Sequence, residues 1–220
     1  MPSASPSILL LIPAYNEASR IGPVLEAYAL YFREHHPDAF HLVVVLNGCT
    51  DDTLGVVERA SGQFPEISHV NIPEPVGKGG ALIEGLKLAP GADLVGYVDA
   101  DGATPPAAFD DLVTGCAKTD CVIGSRWMAG SVLRQEQTFR RQFASRVFHA
   151  IVQGFFWMNI RDTQCGAKLF RVSPDCKALF AERFLTNWVF DVEIIARMIE
   201  NRRGTGRPGP AEVIREIPLW

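Results

Sequence analysis

Short apolar runs of strand type alternate with stretches of helical periodicity along most of the chain, and no other feature narrows the accessible folds as much. The runs fall at 8–12, 42–46, 69–72, 94–98 and 121–123. They read as strands buried on both faces, being rich in aliphatic residues with little polar alternation. Between them the spacing predicts helices over about 20–34, 52–61, 79–88 and 106–117. A repeated strand–helix–strand order implies an α/β fold, a Rossmann-like, mostly parallel sheet with helices on both faces. At 220 residues, 47% of them hydrophobic, the chain is large enough to bury one such core. No repeat, low-complexity tract or linker divides it, so a single domain over 1–220 is expected. A Gly/Pro/Arg loop, NRRGTGRPGP at 201–210, precedes an expected last strand at 212–219. The abrupt end at Trp220 leads us to expect a further C-terminal piece.

Charge and cysteine usage exclude several classes of function. With 21 basic and 25 acidic residues the formal charge is −4, which provides no basic field for a nucleic-acid partner. The five cysteines, Cys49, Cys116, Cys121, Cys165 and Cys176, are odd in number and form no CxxC pair. Neither a disulfide framework nor a structural zinc site is indicated, and a reducing cytoplasm fits best. The apolar run at 8–12 is too short for a signal-peptide core or a membrane span, so no bilayer crossing is expected.

Ligands of open parallel sheets bind at the carboxyl ends of the strands, so the polar tails PAYNE (13–17), NGCTDDT (47–53) and DADGATPP (99–106) are expected to share one rim. In the last of these, Asp99 and Asp101 stand two apart where an apolar run stops at a Gly/Pro breaker. Carboxylates so spaced can aim at one hard cation, Mg²⁺ or Mn²⁺, with water and phosphate oxygens completing its shell. Ordinary turn or N-cap aspartates would give the same pattern. An EF-hand is excluded because Ala103 and Thr104 occupy positions that need an oxygen ligand and a glycine. The aspartyl-phosphate phosphatase pattern DxDxT, with Asp99 as nucleophile, is a rival. It is weakened by Ala103 at its hydroxyl position and by placement after the fourth strand rather than the first. VGKGGAL (76–82) lacks the first glycine and the Ser or Thr of a P-loop, and no strand-linked GxGxxG is present. Lys78 is either a solvated helix-start lysine or a neighbour of a diphosphate, since helix N-termini favour anions.

Seven blocks in one order, PAYNE, NGCTDDT, GKGGAL, DADGATPP, GSRW (124–127), RDTQCGAKLFR (161–171) and WVFDVEI (188–194), resemble the family 2 glycosyltransferases. Within that family the chain is most similar to dolichyl-phosphate glucose and mannose synthases, the QCG and FDVE blocks leaning to the glucosyl branch. The resemblance implies a GT-A fold and inverting transfer of a hexose from a nucleotide-sugar, UDP-glucose in the glucosyl branch. It implies Mg²⁺ or Mn²⁺ as cofactor and a polyprenyl or dolichyl phosphate, or a related acceptor. It also implies that Pro13, Tyr15 and Glu17 line the nucleotide pocket, with Asn47 and Asp51 near the base and Lys78 and Ala100 among the donor-binding positions. Asp99 and Asp101 match the DxD whose carboxylates hold the metal across the diphosphate, Asp101 the more directly. Some relatives carry a metal-binding Gln where this chain has Ala103. Arg126 matches an arginine that meets phosphate in lipid-phosphate-using relatives.

A lipid phosphate needs no strong base, because a phosphate monoester with a second pKa of about 6 is already anionic at neutral pH. A sugar hydroxyl would need a carboxylate base, and Asp162 is the candidate for that role or for orienting the acceptor. The segment 137–157 places aromatic and aliphatic residues at helical spacing beside Arg134, Arg140, Arg141 and Arg146. It either packs on the core or lies on an anionic membrane surface, making the protein peripheral on the cytoplasmic face, with Arg140 or Arg141 on the lipid phosphate. Trp188, His149 and Cys165 read as packing residues. Two other readings stand beside glycosyl transfer: phosphate hydrolysis at Asp99, and a non-catalytic nucleotide-sugar binder of the same fold.

Overall fold

The computed structural model describes residues 5–87, 91–131, 160–186 and 189–220. Its centre is one seven-stranded sheet in the order β3-β2-β1-β4-β6-β5-β7. The strands are β1 (Ile8–Ala14), β2 (Phe40–Asn47), β3 (Ile67–Ile72), β4 (Leu94–Tyr97), β5 (Cys121–Ser125), β6 (Lys168–Arg171) and β7 (Ile214–Pro218). β1 pairs in parallel with β2 on one side and β4 on the other, β2 with β3 and β5 with β7, while β6 runs antiparallel to both β4 and β5. The sheet is therefore mostly parallel, as expected, with one reversed strand that the sequence pattern did not reveal. The expected strand at 212–219 is also corrected: Pro210–Val213 is a helical turn and pairing begins at Ile214. There Pro210 suits the first helical position, and the Gly209 amide donates to Glu212 Oε1 at 3.0 Å, which favours a turn over extension.

β1 shows why the central strands read as unbroken apolar runs. Ile8 to Ile12 are all at most 2% exposed, so both faces of the strand are covered. Helix α1 (Ile21–His35) buries Ile21, Leu25, Tyr28, Ala29 and Phe32, one stripe at helical spacing. Helices α2 (Thr53–Gln63), α3 (Gly77–Leu86) and α4 (Pro106–Gly115) fill the next three connections.

Successive residues of β4 point to opposite faces. Gly96 lies under Phe109 of α4, whose ring meets those of Tyr28 and Phe32 with centroids 6.2 and 6.0 Å apart. Val95 and Tyr97, with Leu11 of β1, pack towards Leu82 and Leu86 of α3 and towards Phe180. One face is thus covered by α1 and α4 and the other by α3. Between β1 and β4 the chain reverses its direction of travel across the sheet, which opens a crevice at their carboxyl ends. Among the described residues no helix is long and apolar enough to cross a membrane. All five cysteines are free thiols and four are buried.

Candidate active site

The first two rim loops are tied together by side chains of their own motifs. Asn16 adopts a left-handed φ of 55°. Its Oδ1 accepts from the Thr50 amide at 2.7 Å and its Nδ2 donates to the Thr50 hydroxyl at 3.1 Å, joining the loop after β1 to the loop after β2. Asp51 accepts from the Ala18 amide at 3.1 Å, the Thr53 amide at 3.0 Å and the Thr53 hydroxyl. The Thr53 hydroxyl, with the Ala18 and Thr53 amides, holds the Asp51 carboxyl below the usual carboxylate range against the opposing effect of desolvation. Asn47, at the end of β2, accepts from the Val76 amide at 2.7 Å and so fixes the start of α3.

These loops frame a cleft of about 300 Å³ at the carboxyl ends of β1, β2 and β4. Of the residues singled out from sequence, Pro13, Tyr15, Glu17, Asn47, Lys78, Asp99, Ala100 and Asp101 all line it. Asp51 stands outside that lining. Ala14 and Arg20 also line the cleft, and Arg20 forms a two-point ion pair with Glu17 at 2.8 Å on both contacts.

Within the cleft Asp99 is held from two directions. Lys78, in the first turn of α3, donates to its Oδ1. On the other side the backbone of Gly166 presses against the carboxylate so closely that a Cβ there would fall 2.0 Å from Oδ2. Burial pushes the Lys78 ammonium down, but the Asp99 carboxylate, with Asp191 behind it, more than reverses this and the net shift is upward. Asp101 accepts from the Ala103 amide at 2.9 Å and keeps its second oxygen free of described partners. The adjoining turn is anchored by the Tyr28 hydroxyl, which donates to the Thr104 carbonyl at 2.9 Å. Two carboxylates lining one cleft offer hard oxygen donors of the kind that suit Mg²⁺ or Mn²⁺. Among the described residues no cluster of three or more His, Cys, Asp or Glu could hold a metal, so such a cation would take the rest of its shell from water and substrate.

Beneath Lys78 lies a second charged group. Lys168, 0% exposed on β6, donates to Asp191 at 2.5 Å and to the Cys165 carbonyl at 2.7 Å. The buried Tyr97 hydroxyl donates to the same Asp191 oxygen, and burial followed by the Asp191 charge raises the Tyr97 pKa. Burial also pushes the neighbouring Cys165 thiol up to about 12, so it is protonated at neutral pH.

Arg126 and Asp162 form a pair apart from the cleft lining. The guanidinium meets both carboxylate oxygens, at 2.7 and 2.8 Å, and the Arg126 amide adds a third bond at 3.0 Å. Asp162 is 3% exposed, and its own amide donates to Glu216 of β7 at 2.8 Å. The hydrogen bond to Asp162 raises the Arg126 pKa despite burial.

Arg134, Arg140, Arg141 and Arg146, the whole segment 137–157, His149 and Trp188 lie outside the described residues. Reading the sequence alone missed the parts played by Lys168, Asp191, Tyr97 and Gly166. The available signal was the lone lysine in the otherwise apolar stretch Ala167 to Phe170, which implied a buried acid to match it.

A model of the family described as glycosyl transferase family 2 matches residues 9–177. The chain is 32% identical over 195 residues to a dolichyl-phosphate beta-glucosyltransferase of Trichomonas vaginalis, covering 84% of this chain and 57% of that relative. It is 31% identical over 206 residues to a dolichyl-phosphate beta-glucosyltransferase of Drosophila melanogaster, covering 87% of this chain and 63% of that one. It thus spans about three-fifths of the length of these two relatives. Among solved structures, glucosyl-3-phosphoglycerate synthase from Mycobacterium tuberculosis, in complex with Mn²⁺, UDP and glucosyl-3-phosphoglycerate, matches with a TM-score of 0.66 at 20% identity, over 98% of this chain and 71% of that one. The likeness shows the fold, which is the GT-A fold expected from the sequence blocks.

Proposed function

Because this chain belongs to glycosyl transferase family 2, we propose that it moves glucose, with inversion, from UDP-glucose to the phosphate of a dolichyl or related polyprenyl phosphate. One observation carries this reading: Asp99 and Asp101 share a single cleft with Lys78, Tyr15 and Asn47 at the carboxyl ends of β1, β2 and β4. The names of the two glucosyltransferase relatives support glucose and dolichyl phosphate as the transferred group and acceptor.

In this scheme Tyr15, 57% exposed at the mouth, offers a ring face to the base, and Asn47 lies at the cleft wall beside it. Asp99 and Asp101 are the residues that would hold Mg²⁺ or Mn²⁺. When bound, such a cation supplies counter-charge for the departing diphosphate, a contribution of several kcal/mol. Lys78 sits beside Asp99 and offers a second positive charge to the same phosphates. Of the two roles open to Asp162, we assign it that of orienting the acceptor, which its contacts with Arg126 through both oxygens support. A phosphate acceptor needs no base, because it is already ionised at neutral pH. We assign Arg126, together with Arg140 and Arg141, to the acceptor phosphate, and the segment 137–157 to a cytoplasmic membrane surface.

The test is to incubate the protein with UDP-glucose, Mn²⁺ and a short polyprenyl phosphate and to examine the lipid by mass spectrometry. A lipid phosphate heavier by one hexosyl group is the expected product. Release of inorganic phosphate from simple esters would instead favour hydrolysis at Asp99. Tight UDP binding without turnover of any donor would make the protein a nucleotide-sugar binder.

A further inference from the structure

We propose that Lys168 is a positioning residue for the carboxylate of Asp99, acting through the Cys165–Gly166–Ala167 turn and in concert with Asp191. The inference rests on the glycosyl-transfer reading in one respect, that Asp99 serves as a cation ligand.

Lys168 sits on β6 directly across from Tyr97 of β4 and has no exposure to solvent. Burying an ammonium and a carboxylate together is costly, and such pairs are often replaceable by apolar residues without loss of stability. Stability alone therefore does not explain a lysine here. What the ammonium does is join three parts of the structure: Asp191, in the first turn of the helix Phe190–Arg202; β6 itself; and the carbonyl of Cys165. Tyr97, whose hydroxyl completes the Asp191 site, comes two residues before Asp99 in the chain. Fixing the Cys165 carbonyl fixes the next residue, Gly166, and Gly166 has no room for a side chain: a Cβ would lie 2.0 Å from Asp99 Oδ2 and 2.6 Å from its Cγ. The turn is thus a wall that limits how the Asp99 carboxylate can rotate, with Lys78 closing the other side. Without the Lys168 tether the wall relaxes, and Asp99 and Asp101 lose their common aim.

Three proteins test this: the parent, Gly166→Ala, and the double variant Lys168→Met/Asp191→Asn. The double variant removes both buried charges together, so neither is left alone, and the amide oxygen it places at position 191 still accepts from Tyr97. Mn²⁺ affinity is read by electron paramagnetic resonance at saturating UDP, UDP affinity without metal by calorimetry, and melting temperature in EDTA. Both variants are expected to bind Mn²⁺ about 10- to 100-fold more weakly, the usual effect of removing groups that orient a metal ligand, with metal-free UDP affinity within about twofold of the parent. Unchanged Mn²⁺ affinity in the double variant would overturn the inference, whatever Gly166→Ala does. So would an equal loss of UDP binding with and without metal, because a general structural role would not select the metal-dependent part. If the double variant does not fold, Lys168→Arg, which keeps a positive charge beside Asp191 but changes the contact with the Cys165 carbonyl, is read in its place against the same outcomes. A parent that binds UDP with no response to Mn²⁺ overturns the reading of Asp99 as a cation ligand, and the inference with it.

Discussion

At the scale of single residues, the carboxylates around the cleft differ in what each can lose. Asp101 accepts one backbone hydrogen bond, from Ala103, that an amide oxygen can accept equally well. Asp101→Asn should therefore fold normally while losing the negative charge that, in the proposed scheme, holds the cation facing the leaving diphosphate. Turnover should fall about 100- to 1,000-fold, the equivalent of roughly 3–4 kcal/mol, with the melting temperature in EDTA unchanged. Steady-state kinetics and thermal unfolding on the same preparation check both halves. Arg126→Met has the opposite character, since it strands the nearly buried Asp162 carboxylate. Removing one partner of a fully buried pair costs about 3–5 kcal/mol, and because Arg126 is 32% exposed about 2–3 kcal/mol is expected here. Urea denaturation should show that loss and should show it largely recovered in Arg126→Met/Asp162→Asn. The Asp99–Ala100–Asp101 pair was legible in the sequence because it is local, two acids at a strand end. The Tyr97–Asp191 bond was not, because its partners are 94 residues apart and meet only in the folded chain.

At the scale of elements, two carboxylates outside the cleft pin loops, and both titrate below the ordinary carboxyl value of 3.8. Asp51 is held down by the Thr53 hydroxyl and then by the Ala18 and Thr53 amides. Asp93, before β4, is held down by the amide and hydroxyl of Ser7, each at 2.9 Å. A folded-state pKa below the unfolded one gives stability that is complete above the unfolded value and is lost as pH falls through the folded value. Melting temperature should therefore drop as pH falls below about 4, and Asp93→Asn should cost stability at pH 6 but little once Asp93 is protonated. An equal cost of the substitution at pH 6 and pH 3 would show that the Ser7 contacts do not depend on charge. Strands β1, β2 and β4 and helices α1 to α4 were legible because each carries an apolar run or a stripe at helical spacing, and β3, ISHVNI, was legible in its second half from the alternation of Val70 and Ile72 with polar residues. β6 was not, because Lys168–Arg171 is only four residues long and has a charge at either end. Its lysine is buried by pairing with Asp191, an interaction that no local pattern encodes.

For the whole molecule, the alternation of strands and helices was enough to place three polar tails on one rim, since a parallel sheet puts its strand ends on the same side. It was not enough to give the strand order, because the insertion of β6 between β4 and β5 depends on long-range pairing. That insertion carries Lys168 and Gly166 under the cleft, so the part of the site unread from sequence is the part supplied by the unread strand. The central claim concerns the whole molecule as well, namely our proposal that the cleft serves transfer of glucose from UDP-glucose to a lipid phosphate with the help of a divalent cation. It is tested most directly by crossing UDP-glucose and GDP-mannose as donors with a short polyprenyl phosphate and water as acceptors, each with Mn²⁺ and with EDTA. The expected result is glycosylated lipid phosphate chiefly from UDP-glucose, abolished by EDTA, with little hydrolysis to water. Equal or greater transfer from GDP-mannose, or full transfer in EDTA, would contradict the claim.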